Sequence, residues 1–505
     1  MKIQVPQSSR NWISIIGMTI ALVSFFMIIF LFVIGNFLGK DNAYIGIVTF
    51  IALPAILFLG LLLIPIGMWI KVKREKGKGK DEENFKVWPI IDFNNIQQRH
   101  GFFIFAVGSA IFLLASAVGS YEAFNYTESV KFCGTTCHTV MKPEYTAYQN
   151  SPHARVRCVD CHVGSGAGWY VKSKLSGLYQ VYAVTLGSYP KPIETPISNL
   201  RPARETCEEC HWPQKFYPYK MVTEKHFLSD VKNSEWDISL VLKIGANFSA
   251  LGLQQGIHKH ISKDVKIEYK ASDPQRQTIP WVRYTDLKTG KSVVFQDQDN
   301  KLSQKQLDSL ETRVMDCIDC HNRPAHNYQH PVVYINNAMT SGEIPKELPE
   351  IKSVAMAAIS KYYSTTDSSL MMISKDLNDF YKQKYPDIYK NQKQLVDKAV
   401  QGLQKEFSLN VFPEMKVKWS AYPNNIGHLE FKGCFRCHND THTADNGSKI
   451  SRDCNLCHTI TVQGPPDKLM VAPANGSLEF KHPGDQVTDE WKTMLCVDCH
   501  SSMGQ

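Results

Sequence analysis

Three stretches near the amino terminus are apolar without interruption. Residues 11–39 and 42–70 contain no charged side chain and are dense in Ile, Leu, Phe and Val, and residues 101–121 form a third such run. Each matches the roughly 20 apolar residues that carry a helix across a bilayer core, so the pattern predicts three membrane spans. Pro54 and Pro65 fall within the second, where neighbouring helices can compensate the lost backbone bonds. The first run is too long for the apolar stretch of a signal peptide and has no clear small-residue cleavage site, so it reads as a retained anchor.

Beyond residue 121 the pattern changes. Val265-Lys-Ile-Glu-Tyr, Trp281-Val-Arg-Tyr and Ser292-Val-Val-Phe alternate like strands, and Asp286-Leu-Lys-Thr-Gly-Lys between the last two reads as a hairpin loop. Between residues 347 and 407, Ile351, Val354, Ala355 and Ala358 recur at helical spacing, and Leu377, Phe380 and Tyr381 repeat it. Residues 122–215 and 426–505 carry few long apolar periodicities, so something other than side chains must supply much of their core. The predicted organisation is two spans and a basic loop (1–100), a third span with the first motif cluster (101–215), a β-containing insertion (216–315), a motif segment (316–346), a helical spacer (347–425) and a carboxyl-terminal module (426–505). The expected fold class is a mostly α and irregular protein with three amino-terminal transmembrane helices, a large outer region and a small β insertion.

The cysteines say what fills that core. All 14 fall in pairs followed directly by His: Cys133/Cys137 with His138, Cys158/Cys161 with His162, Cys207/Cys210 with His211, Cys317/Cys320 with His321, Cys434/Cys437 with His438, Cys454/Cys457 with His458 and Cys496/Cys499 with His500. In C-x-x-C-H two thiols reach the two vinyl groups of one porphyrin and the next residue turns its imidazole onto the iron. Redox-active or zinc-binding pairs would leave the following His unexplained. The first motif has three residues between its thiols, a one-residue bulge that still presents both to one haem. The count implies seven covalently bound haems c, hence a multihaem cytochrome.

Charge orients the chain. Lys71-Val-Lys73-Arg74-Glu-Lys76-Gly-Lys78-Gly-Lys80 follows the second span, whereas the loop around Lys40 and Asp41 is nearly neutral. By the positive-inside rule the amino terminus and basic loop are cytoplasmic and residue 122 onward lies outside, the side where c-type haem is attached. The formal net charge of +8 is poor evidence for a partner. Each oxidised haem with two ionised propionates adds about −1 and each reduced one about −2. Nothing points to nucleic acid.

Axial ligation separates a wire from a terminal catalyst, because a second His on an iron favours electron transfer and an open position favours substrate binding. Of the 17 His, seven follow motifs and His100 is cytoplasmic, leaving His153, His226, His258, His260, His326, His330, His428, His442 and His482 outside. Five to seven of these nine are expected to ligate. His326, five residues after His321, is the strongest candidate, followed by His153, His226, His428 and His442, then His258, His260 and His482.

Residues 101–215 and 316–326 resemble the NapC/NirT family of membrane-anchored quinol dehydrogenases. The resemblance rests on Phe124-Asn125, Thr127-Glu128, Phe132-Cys133, Glu144-Tyr145, Cys158-Val-Asp160-Cys161-His162, Cys207-Glu-Glu-Cys210-His211-Trp212-Pro213, Met315-Asp-Cys317-Ile-Asp-Cys320-His321 and His326. It covers about a quarter of the chain. The extra spans, the insertion and the three carboxyl-terminal motifs depart from members with four haems behind one helix, and together resemble the family's heptahaem inner-membrane branch.

That resemblance implies oxidation of menaquinol or ubiquinol at the membrane surface beside the first haem. Electrons then pass to periplasmic c-type cytochromes in anaerobic respiration. It also implies Met141 as an axial ligand of the first haem, with ordinary ligation by His138 the alternative. For the quinol pocket it points to Lys172 and Lys174, with Gln180 standing where the family pattern has a carboxylate. Proton acceptance then falls to Glu144, Asp160 or a haem propionate. Two other classes stay open, an electron-relay subunit without its own quinol site and a terminal multihaem reductase of a small oxyanion.

Overall fold

The computed structural model describes residues 9–37, 48, 52–76, 92–136, 138–164, 167–197, 201–245, 256–484 and 489–500, and its chain divides into two compact units, Met1–His138 and Thr139–Gln505. The loop around Lys40 and Asp41, most of the basic loop and Cys137 lie outside the described residues.

The first unit contains three helices long and apolar enough to cross a membrane, Trp12–Phe37, Leu53–Lys76 and Ile96–Thr127. The first two pack on each other through small residues. Ser14, Gly17, Ala21 and Ser24 lie three or four apart on one face and are buried. A Cβ at Gly17 would stand 2.7 Å from the Gly60 carbonyl oxygen, and one at Gly60 2.8 Å from the Ala21 nitrogen. Small residues allow this approach where lipid supplies no hydrophobic drive, and Ser14 Oγ adds a 2.9 Å hydrogen bond to the Ile64 carbonyl. Within the apolar run 42–70 the described α-helix is Leu53–Lys76, and most of the residues before it lie outside the described residues. Pro54 therefore stands in the first helical turn, where a missing N–H costs nothing, and only Pro65 is interior. The third helix extends beyond the apolar run 101–121 at both ends.

The second unit has two antiparallel sheets and a helical core. We number the strands β1 (Tyr219–Phe227), β2 (Glu235–Lys243), β3 (Val265–Lys270), β4 (Trp281–Asp286), β5 (Ser292–Asp297), β6 (Arg313–Val314), β7 (His442–Thr443), β8 (His458–Gly464) and β9 (Met470–Val471). Their orders are β1-β2-β8-β9 and β6-β3-β4-β5-β7. Both sheets are thus completed by strands from beyond residue 440. Helices Pro331–Thr340, Ile351–Ile359, Thr366–Lys384 and Lys393–Asn410 bury one cluster that includes Tyr334, Ile335, Leu348, Ile351, Ile373, Leu377, Leu403 and Phe407. Between residues 426 and 500, by contrast, the only buried apolar side chains among the described residues are Ile460 and Val497. That stretch lacks a hydrocarbon core of its own.

Candidate haem sites

Three motifs share an aspartate just before the second cysteine, and the structure gives it a local task. Cys158–His162, Cys317–Cys320 and Cys496–His500 are each one helical turn. Asp160, Asp319 and Asp498 reach back to accept from the backbone N–H of Arg157 (3.2 Å), Asp316 (2.8 Å) and Leu495 (3.0 Å). This satisfies an orphan donor at the helix start. Asp160 is also held by Arg157 Nη2 at 2.7 Å, so the acid expected to accept protons is engaged in holding its own motif.

The motif cysteines are unevenly covered. Cys161, Cys210, Cys454 and Cys499 are exposed, while the other described cysteines are half-buried. Exposure leaves these four sulfurs reachable, which suits the attachment chemistry assigned to them.

Asp319 is bound much more heavily than its counterparts. Its carboxylate, 2 % exposed, takes Arg313 Nε at 2.7 Å, Arg276 Nη1 at 3.0 Å and the Tyr269 hydroxyl at 2.8 Å. Burial, and the carboxylate beside it, push the Tyr269 phenol well above its ordinary value. No sequence pattern announced these partners, because they arrive from β3, from the turn after it and from β6.

Each motif histidine from the second onward faces a histidine from elsewhere. His162 faces His326 with ring centres 6.2 Å apart, His211 faces His153 at 6.0 Å, and His321 faces His258 at 6.4 Å. His438 faces His260 at 5.9 Å, His458 faces His428 at 6.2 Å, and His500 faces His482 at 6.0 Å. Such spacings also occur between packed rings. They are equally those of two imidazoles bonded to one metal, with bonds of about 2 Å and ring centres about 1.2 Å behind the nitrogens, which gives about 6.3 Å.

The outward nitrogens fit the second reading. Nδ1–H of His153 donates to the Pro324 carbonyl (3.0 Å), His326 to Glu144 (3.0 Å), His260 to Ile257 (2.6 Å), His438 to Ser451 (2.9 Å) and His482 to Pro483 (2.9 Å). A carbonyl on Nδ1 fixes the tautomer that leaves the Nε2 lone pair for a metal. Burial and the facing ring hold His258 and His428 down to about 4, which favours the neutral imidazole that coordination requires. The residues present therefore fit haem held between paired imidazoles.

The remaining outer histidines are differently engaged. His442, fully buried, has Nδ1 2.8 Å from Asn439 Oδ1 and Nε2 2.7 Å from the Ile279 carbonyl. Both nitrogens are committed to the protein, which corrects its place among the leading ligand candidates. His226 lies 3.3 Å from Asn336 Nδ2 and 3.6 Å from a Glu224 oxygen. Buried His330 caps helix Pro331–Thr340, accepting from the Val332 N–H at 3.3 Å, and meets Trp419 edge-on. His258, His260 and His482, ranked last from sequence, are each paired.

Of the pocket candidates, Glu144 places a carboxylate oxygen 3.2 Å from His326 Nδ1 and is not a free base. Lys172 is exposed, its ammonium 4.9 Å over the Trp169 ring. Lys174 is half-buried and Gln180 exposed on the same helix, Ala167–Thr185. Met141 lies in helix His138–Gln149, while Cys137 and the His138 side chain lie outside what is described.

Comparison with known proteins gives these features a family. Residues 96–195 match the model of the NapC/NirT cytochrome c family, N-terminal region. The chain is 41% identical over 498 residues to the cytochrome c-type protein ImcH of Geobacter sulfurreducens, covering 98% of this chain and 96% of that protein. It is 32% identical over 111 residues to the cytochrome c-type protein NrfH of Wolinella succinogenes, covering 21% of this chain and 61% of that one. No solved structure matches. Three membrane-length apolar helices, cysteine pairs followed by histidine and this near full-length likeness agree: the chain belongs to the NapC/NirT cytochrome c family of membrane-anchored, haem c-carrying electron-transport proteins.

Proposed function

We propose that the protein is a membrane quinol dehydrogenase, oxidising menaquinol or ubiquinol and delivering the electrons through seven haems c to periplasmic c-type cytochromes in anaerobic respiration. The observation that carries this reading is helix Ala167–Thr185, which follows the second motif. Leu175, Leu178, Tyr179, Tyr182 and Leu186 recur at helical spacing and are each more than half exposed. An exposed apolar stripe of this size beside lysines is the character of a helix lying in a membrane interface, where a lipid-soluble quinol is met.

Bound haem supplies one-electron chemistry, taking a quinol's two electrons singly. The chain's part is to hold and orient. Each cysteine pair would hold a haem through two thioethers, with the following histidine on its iron. A second histidine would come from His326 at the second motif, His153 at the third, His258 at the fourth, His260 at the fifth, His428 at the sixth and His482 at the seventh; at the first motif Met141 would ligate, with ordinary ligation by His138 the alternative. Lys172 and Lys174 stand at the start of the apolar stripe to bind the quinol oxygens as ammonium donors, with Gln180 two turns on, and the quinol protons pass to Glu144, Asp160 or a haem propionate. With residue 122 onward outside, protons and electrons leave on the same face, and the step moves no net charge across the membrane.

The test is to add a menaquinol analogue to the oxidised, haem-loaded protein in detergent and follow the reduced-haem band. Rapid reduction that slows in Lys172→Ala and Lys174→Ala supports the reading. No reduction of fully loaded protein overturns it.

A further inference from the structure

The segments that carry the second to the seventh motifs are linked to one another in chain order. The helical turn at Cys158–His162 packs on helix Ala203–Cys207, and that helix on Cys317–Cys320. Arg436, between Cys434 and Cys437, donates Nη2 to the Asp319 carbonyl at 2.8 Å. Phe435 of the same motif stacks on His428 at 4.2 Å, the ring that faces His458. Arg452, two residues before Cys454, donates to the Thr493 and Met494 carbonyls just before Cys496.

One element in this series is unlike the rest. The short turn Ile257–Ile261 belongs to a segment without a haem motif, yet it carries two of the facing histidines. His258 faces His321 and His260 faces His438. Residues two apart in sequence have Cα atoms at most about 7 Å apart, so one rigid turn fixes both pairs relative to each other. The turn is pinned at both ends. A Cβ at Gly256 would stand 2.5 Å from the Gly245 nitrogen, the His258 N–H donates to the Ile244 carbonyl at 3.0 Å, and Arg204, three residues before Cys207, donates to the Ile261 carbonyl at 3.0 Å.

We infer that the turn Ile257–Ile261 is a double ligand clamp: His258 ligates the haem of Cys317/Cys320 and His260 that of Cys434/Cys437. It thereby joins the amino-terminal haem group to the carboxyl-terminal one. This rests on haem loading at those motifs and is independent of the quinol site.

The test is spectroscopic and uses no quinol. In full-length, haem-loaded protein, His258→Met and His260→Met each convert one bis-histidine low-spin signal to a histidine–methionine one and raise one reduction potential. Each variant is then combined with Cys434→Ala/Cys437→Ala, whose loss of one haem is read by mass. In that background His260→Met is silent, because its haem is gone, and His258→Met still converts a signal. In Cys317→Ala/Cys320→Ala the two exchange behaviour. Conversion by His260→Met in protein lacking the Cys434/Cys437 haem overturns the clamp, as does silence of either variant in the otherwise unaltered protein. Where a double cysteine variant does not accumulate, Cys437→Ala keeps its haem through one thioether. Its altered reduced band then marks whether His260→Met acts on that haem or on another.

Discussion

Asp319→Asn tests how far the fourth motif depends on charge buried around it. The carboxylate meets two guanidinium groups and a phenol while it closes its own helical turn. Removing one partner of a buried ion pair costs about 3–5 kcal/mol, because the remaining charge is left uncompensated. Arg276 and Arg313 are 25% and 31% exposed, so water recovers part of that loss and about 2–3 kcal/mol is expected. Asp160→Asn is the internal control. Asp160 closes the same kind of turn, but its side chain is 38% exposed with one exposed arginine, so about 0.5–1 kcal/mol is expected, the scale of a capping contact. Both variants, checked for haem content by mass, are unfolded by heat in detergent and followed by far-ultraviolet circular dichroism. Asp319→Asn should lower the melting temperature several times more than Asp160→Asn. Equal shifts would refute the reasoning, since the capping bond is common to both and what differs is the burial of Asp319 with its two arginines and the Tyr269 phenol.

Three further outcomes follow from particular contacts. Lys352, 2% exposed, donates to Asn336 Oδ1 and the Val332 carbonyl, and desolvation pushes its ammonium down to about 7, with His226 and His330 the titratable groups facing it. The unfolded chain holds this proton up to about pH 10.4, so stability rises from pH 7 to 10. Lys352→Met should flatten that rise and raise the melting temperature at pH 7. Glu144→Gln removes the carboxylate beside His326 Nδ1, making that imidazole a weaker donor, and should raise one haem potential in a redox titration while Glu144→Asp restores it in part. Gly433 has φ 48° and an added Cβ would stand 1.9 Å from the Gly427 carbonyl oxygen, so Gly433→Ala should yield protein lighter by one haem.

What the sequence made legible is what chemistry forces to be contiguous. A thioether pair and its proximal imidazole must lie within one turn of chain, so Cys158/Cys161–His162 and its counterparts are visible without a fold. Strands β3, β4 and β5 alternate apolar and polar residues along the chain, so they too were readable, as was the helical period around Ile351 and Leu377. β1 and β8 were not. β1 is exposed along most of its length and so does not alternate, and β8 begins on the motif residue His458, paired with Leu242 of β2. The facing histidines are set by that topology and not by spacing. His326 stood out as a ligand candidate, but its spacing from His321 did not show that it faces His162. His258 and His260 are two residues apart, yet they face two different motif histidines, His321 and His438. A proximal ligand is fixed by local chain geometry, whereas a distal one can come from any segment the fold returns to the same place. The cysteine motifs therefore bound the number of haems from sequence, while only the fold bounds which haem neighbours which.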